Sequence, residues 1–184
     1  MNTQTEEPFL SRCFLVCGLN GAGKSSFGQR LARETGLDYL DIEDLYFPDR
    51  KTGESYPPAR SRKDVEKALE TRLRESGDFI LASVKADYGR FPDSIHGVIL
   101  LNVPQNIRLA RIRQRSFDKF GQRMLPGGDL HDSEEAFFSM CAGRKNCFVE
   151  DWIATLSCPV LRLDGTLPPE KNLPAALLFL SRLS

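Results

Sequence analysis

FLVCGLNGAGKSSFGQRLA, residues 14–32, sets the reading of the whole chain. A short apolar run is followed by Gly18, Gly21 and Gly23, then by Lys24 and Ser25. After them, Phe27 and Leu31 stand four apart, the spacing of one helical face. Gly18-Leu19-Asn20-Gly21-Ala22-Gly23-Lys24-Ser25 satisfies G-x-x-x-x-G-K-[ST] at every position. Glycines let the backbone curl around a phosphate, so that the N–H groups of the loop from Gly18 through Asn20, Gly21, Ala22, Gly23, Lys24, Ser25 and Ser26 point inward. A helix starting at the end of the loop adds the positive end of its dipole. Lys24 then reaches the β- and γ-phosphates, and the Ser25 hydroxyl ligates a divalent cation. The pattern has its required context, a strand before and a helix after, and it implies ATP with Mg2+.

Outward from the loop, apolar runs alternate with amphipathic ones. Strands are expected at 12–17, 38–42, 79–84, 97–103 and 159–164. Helices are expected at 24–35 with Gly36 as the stop, at 62–75 with Ser61 and Asp64 as a capping box, at 104–119 after Pro104, and near 173–182. A further helix over 132–156 would be capped by Asp132 and Glu135, with Gly143 as a possible interruption. The proline-bearing stretch 47–60 reads as a loop. Continuous apolar strands separated by helices predict a three-layer α/β/α sandwich on a five-stranded parallel sheet. The 184 residues suit one domain. Within it, an acceptor-binding segment is expected at about 44–76 and a helical lid at about 113–145.

Three further stretches bear on what is done with the nucleotide. YLDIEDLYF, 39–47, puts Asp41, Glu43 and Asp44 at the end of the second strand, where ligands bind in an open α/β sheet. One carboxylate there can orient the cation, Asp41 with Ser25, and Asp41 or Asp44 can accept a proton from an attacking hydroxyl. RLARIRQRSFDKFGQR concentrates arginines, and Arg108, Arg111 and Arg115 recur at spacings of three and four. Laid over a polyphosphate, such arginines stabilise a transferring phosphoryl group. RLDGTLPPE ends a strand in a tight turn at Gly165, whose backbone can meet a nucleotide base. An acceptor is expected near Arg60, Arg62 and Lys85, with Glu43 facing it. The two arginines suit an anion such as a monophosphate.

Composition removes several classes. Twenty-five basic residues balance twenty-five acidic ones, which gives no general attraction for nucleic acid. No apolar run approaches the roughly 20 residues that cross a bilayer, and the polar start lacks a signal-peptide pattern, so a cytoplasmic location is expected. The five cysteines match no metal-ligand spacing and read as reduced thiols. His96 and His131 do not form a metal pair in the sequence. Oligomeric state is not encoded in any apolar stripe.

GLNGAGKSS, LDIED, VILLNVPQNIRLARIRQR and VLRLDGTLPPE together resemble the P-loop kinases of small molecules, the family that includes adenylate kinase, shikimate kinase and gluconate kinase. The chain also resembles the small bacterial proteins labelled AAA family ATPase, although it lacks the length for the helical subdomain of a full AAA module. The likeness to adenylate kinases implies that Arg111 stacks near the adenine and that Arg115 meets phosphate. The likeness of LDIED to the Asp-x-Asp of shikimate kinase implies magnesium or acceptor contacts for Asp41 and Glu43. The chain departs from the family where SVKADYGRFPD stands in place of Asp-Gly-Phe-Pro-Arg, and the fourth strand ends in Asn102, not in paired acids. The leading expectation is therefore an ATP-dependent phosphotransferase acting on a small acceptor. The alternatives are a nucleotide-binding switch with little transfer activity and a kinase of RNA or polynucleotide ends.

Overall fold

The computed structural model describes residues 11–48, 58–75 and 77–183. The middle of the expected loop at 47–60 lies outside the described residues. Five strands, β1 (Cys13–Cys17), β2 (Asp38–Asp41), β3 (Phe79–Ala82), β4 (Ile95–Asn102) and β5 (Val160–Asp164), form one sheet in the order β2-β3-β1-β4-β5. Every neighbouring pair is parallel.

Strand alternation splits the core into two layers. Cys13, Leu15 and Cys17 face a cluster closed by Val65, Leu69 and Leu73 of α3 (Arg62–Arg74) and by Val149 and Ile153 of α6 (Cys147–Ile153). Phe14 and Val16 face the opposite cluster, closed by Phe27, Leu31 and Ala32 of α1 (Lys24–Thr35) and by Leu173, Ala176 and Leu180 of α7 (Pro169–Ser181). The three-layer α/β/α architecture follows from that division. A third, smaller core joins Ile112 and Phe120 of α4 (Gln105–Phe120) to Phe138 and Cys141 of α5 (His131–Gly143), with Met124 of a 3-10 turn between them. Among the described residues, no helix is long and apolar enough to cross a membrane.

The expected boundaries shift where side chains capture the backbone. The second strand stops at Asp41, because that carboxylate accepts from the Glu43 N–H and caps a short helix, α2 (Ile42–Tyr46). The third strand stops at Ala82, and the Ser83 hydroxyl turns to the Lys85 carbonyl. The helix expected over 132–156 is two helices, α5 and α6, broken at 144–146. Its expected Asp132–Glu135 cap is not made. Glu135 pairs instead with Arg113 at 2.8 Å, and the Ser133 hydroxyl donates to the Leu130 carbonyl. The last helix begins at Pro169, four residues earlier than expected, since proline is at home in a first turn that needs no N–H. Ser61 caps α3 through the Asp64 N–H, and Gly36 closes α1 in the left-handed region.

Candidate nucleotide site

Parallel pairing brings the carboxyl ends of all five strands to one edge. Val16, Ala82 and Asp41 stand at one level, as do Asn102 and Asp164. The glycine loop leaves β1 at that edge, and α1 starts at Lys24 directly after it.

Two contacts fix the loop against α4. Gly21 has a φ of +82°, and a Cβ there would lie 2.5 Å from the Arg108 carbonyl oxygen. Arg108 is buried, and its guanidinium donates to the Val103 and Asn20 carbonyls, each at 3.2 Å. Arg108 thus braces the loop from behind, and its buried guanidinium is not placed to cover a polyphosphate. Arg111 donates to the Gly165 carbonyl at 3.0 Å. A Cβ on Gly165 would sit 3.1 Å from the Ala22 carbonyl and 2.6 Å from Val103, so the β5 turn packs directly against the loop. Asp164 holds that turn by accepting from the Thr166 N–H at 2.8 Å.

Burial pushes the Lys24 ammonium below the usual lysine range, and the negative charges of Glu43 and then Asp41 partly restore it. Arg115 lies close enough for its charge to lower Lys24 further. The Lys24 amine donates to the Leu19 carbonyl at 3.3 Å. The charges of Asp41, the last residue of β2, and of Glu43 thus act on the loop lysine. Asp41 is buried and held twice, by the Glu43 N–H at 3.0 Å and by the Tyr39 hydroxyl at 3.0 Å. Burial, and then the Asp41 charge, push the Tyr39 phenol above its ordinary range. Asp44 lies exposed on α2.

Among the expected acceptor residues, Arg62 is engaged with Asp87, through the backbone carbonyl and a carboxylate 3.5 Å away. It also stacks over Tyr88 at 4.7 Å, and the Tyr88 and Tyr46 hydroxyls meet at 3.1 Å. Lys85 leaves this group and lies 3.9 Å from the centroid of Phe148 on α6. Arg60 is exposed, its N–H donating to the Tyr46 carbonyl. Arg144 escapes the sequence reading. Its guanidinium donates to Asn20 Oδ1 at 2.9 Å and lies 5.3 Å from the Phe148 ring. No local motif marks it, because its partner is 124 residues away.

No group of three or more His, Cys, Asp or Glu side chains among the described residues is placed to hold a metal ion. A serine at the start of α1 and a buried carboxylate at the end of β2 suit a cation that arrives with phosphate oxygens already attached. The cysteine thiols are all free. Burial pushes Cys17 up to about 12, which leaves it an inert core group.

This loop, on the edge of a parallel sheet ordered 2-3-1-4-5, defines a P-loop nucleotide-binding domain. The chain belongs to the AAA domain family, whose model matches residues 15–123. It is 30% identical over 175 residues to "Uncharacterized protein YqaC" of Bacillus subtilis (strain 168), covering 90% of this chain and 96% of that protein. Its fold is shared with a gluconokinase from Sinorhizobium meliloti 1021, with a TM-score of 0.56 and 19% identity over 96% of this chain and 95% of that one. A shikimate kinase from Bacteroides thetaiotaomicron gives a TM-score of 0.58 and 17% identity over 92% and 98% of the two chains. A deoxyadenosine kinase from M.mycoides gives 0.53 and 18% over 94% and 100%. The fold expected from the sequence is the fold found.

Proposed function

We propose that this protein is a phosphotransferase that moves the γ-phosphate of ATP, bound with Mg2+, to a small acceptor. One observation carries the reading: the phosphate loop, tied to Arg108 and Arg144, and Asp41 of β2 stand at the same carboxyl edge of the sheet, where the charges of Glu43, Asp41 and Arg115 act on Lys24. Anion-binding groups and a carboxylate pair thus share one edge, as phosphoryl transfer requires.

Loop N–H groups and Lys24 hold the polyphosphate. Ser25 would hold the cation, which would supply neutralising charge to the phosphates, and Asp41, locked by two hydrogen bonds, would orient it. Asp44, exposed in the first turn of α2, takes the acceptor proton. Arg115 stabilises the phosphoryl group in flight, and Arg111, anchored on the Gly165 carbonyl, borders the base. The α4–α5 unit with its own core acts as the lid and excludes water. Arg60 and Glu43 border the acceptor, and an anion such as a nucleoside monophosphate suits the cationic side. The engagement of Arg62 with Asp87 favours a second reading, a nucleotide-binding switch with little transfer.

ADP release from ATP and Mg2+ across nucleoside monophosphates, sugars and small acids, with Lys24→Ala as control, tests the proposal. One acceptor that raises the rate many-fold in the wild type alone supports it. ATP binding with no response to any acceptor moves the switch reading to first place.

A further inference from the structure

Arg12, Arg30 and Arg72 are half-buried, and each is paired with a carboxylate: Asp78 at 2.7 Å, Glu170, and Asp38 at 2.8 Å. Lys85 and Arg144 are half-buried too, yet among the described residues neither has a carboxylate partner. Both lie on one ring. Lys85 Nζ is 3.9 Å from the Phe148 centroid, and the Arg144 guanidinium carbon is 5.3 Å from it. The acids nearby in sequence are engaged elsewhere. Asp87, two residues after Lys85, meets Arg62, and Glu150, two residues after Phe148, meets Arg162 at 2.7 Å. The face of an aromatic ring attracts a cation but supplies no net negative charge. Two positive charges drawn to one ring repel each other, and an anion between them relieves that repulsion.

The pair stands beside the phosphate loop. Arg144 donates to Asn20 Oδ1 at 2.9 Å, which occupies one terminal nitrogen of its fork. Lys85 belongs to the segment that follows β3. That segment starts at the loop strand, where the Ser83 N–H donates to the Val16 carbonyl at 3.1 Å. Three residues after Lys85, Tyr88 meets Tyr46 of α2 and carries Arg62 of α3 on its ring. The segment 85–88 therefore reaches from α6 to the α2–α3 side of the site. Phe148 keeps 40% of its surface exposed, so the group is open to solvent.

We infer that Lys85 and Arg144, gathered on Phe148 at the rim of the phosphate loop, form a subsite for a small oxyanion, the carboxylate or phosphate of the acceptor. A guanidinium fork meets either group with two donors, and the ammonium adds a point charge beside it. The apolar ring between them suits the carbon skeleton that carries the anion. The inference rests on the proposed phosphotransferase reading and narrows it, since a neutral sugar or nucleoside has nothing to offer these two cations.

Inorganic phosphate and acetate serve as probes. They are titrated calorimetrically into protein loaded with Mg2+ and the non-hydrolysable ATP analogue AMPPNP, so that the phosphate loop is filled. Binding of phosphate marks the acceptor as a phosphomonoester, and binding of acetate marks it as a carboxylate. Lys85→Met and Arg144→Met should each weaken the bound probe about tenfold, the loss of one charge-assisted hydrogen bond. Lys85→Arg should retain it, and Phe148→Leu should weaken it about threefold. Cooperative urea unfolding of each variant separates these losses from failure to fold. Neither probe bound to the loaded wild type, or wild-type affinity in Lys85→Met, overturns the subsite. A fall in AMPPNP affinity as large as the fall for the probe also overturns it, because the cations would then serve the nucleotide. Phosphate titrated into nucleotide-free Lys24→Ala, with and without Lys85→Met, covers a wild type that binds no AMPPNP. Binding there that depends on Lys85 keeps the subsite while the nucleotide reading falls, and binding that ignores Lys85 overturns it. Among acceptors that raise ADP release, a neutral one that responds equally in wild type and Lys85→Met overturns the assignment to the acceptor. Probe binding through Lys85 with no transfer to any acceptor sinks only the phosphotransferase reading.

Discussion

The Arg144 guanidinium donates to the Asn20 side-chain oxygen at 2.9 Å, so the connector between α5 and α6 is tied to the third residue of the phosphate loop. The same guanidinium lies over Phe148, which also carries Lys85. Arg144→Met should therefore release the connector as well as weaken the fold. A partly exposed charge-assisted hydrogen bond contributes about 1 kcal/mol. Urea unfolding should show a loss of that order, and amide exchange at 144–146 should quicken. Asn20→Ala should give the same two changes, and the double variant little more. Additive losses would show that Arg144 acts through some other partner.

Arg108 is the largest fully buried side chain, and its hydrogen bonds run to two carbonyls, those of Val103 and Asn20. Arg108→Met keeps most of the aliphatic packing and leaves both carbonyls without this donor. Each unsatisfied buried acceptor costs about 1–3 kcal/mol, offset in part by removal of a desolvated charge. The expected result is a net destabilisation of about 2 kcal/mol with weaker ATP binding. Equilibrium unfolding and calorimetric titration with ATP read the two effects. Unchanged ATP affinity would separate the brace from the loop.

The loop glycines are not equivalent. Gly21 and Gly23 both have positive φ, at +82° and +93°. A Cβ on Gly23 meets nothing within 4 Å, whereas on Gly21 it enters the Arg108 backbone. Gly23→Ala should cost only the left-handed conformation, about 1–2 kcal/mol. Gly21→Ala must also displace α4 from the loop, so it should be the more damaging to both stability and ATP binding. The reverse order would mean that α4 moves aside at little cost.

Much of this site is legible in the sequence because its elements are local. The glycine pattern, the capping of α3 by Ser61 and the stop at Gly36 each need only a few consecutive residues. Asp41 illustrates the limit. Its place at the end of a strand is readable, but its capping of α2 and its bond to Tyr39 depend on which way the chain turns at Ile42. Arg108 and Arg111 share a spacing that suggests one role, yet the bulk of α4 against Gly21 sends the first inward and leaves the second at Gly165. Tyr39 and Arg144 carry no motif, since one reads as a strand aromatic and the other meets its partner across 124 residues.

Lys24 gives a prediction whose sign depends on pH. Burial lowers its pKa below the free value of 10.5, so the folded chain releases this proton more readily than the unfolded one. Between the lowered value and 10.5 the unfolded state binds more protons, and stability contributed by this site rises with pH. Below that window the charge opposes folding of the nucleotide-free protein in full. Lys24→Met removes the charge and retains an apolar stem, so at pH 7 it should unfold at a higher urea concentration than the wild type. Its advantage should shrink as the pH climbs toward 10.5. ATP should reverse the order at pH 7, because the wild type alone gains the phosphate contact. Urea midpoints measured for both proteins from pH 7 to 10, with and without ATP, check all three statements. A constant gap across that range would mean that the acids Glu43 and Asp41 compensate the desolvated ammonium completely.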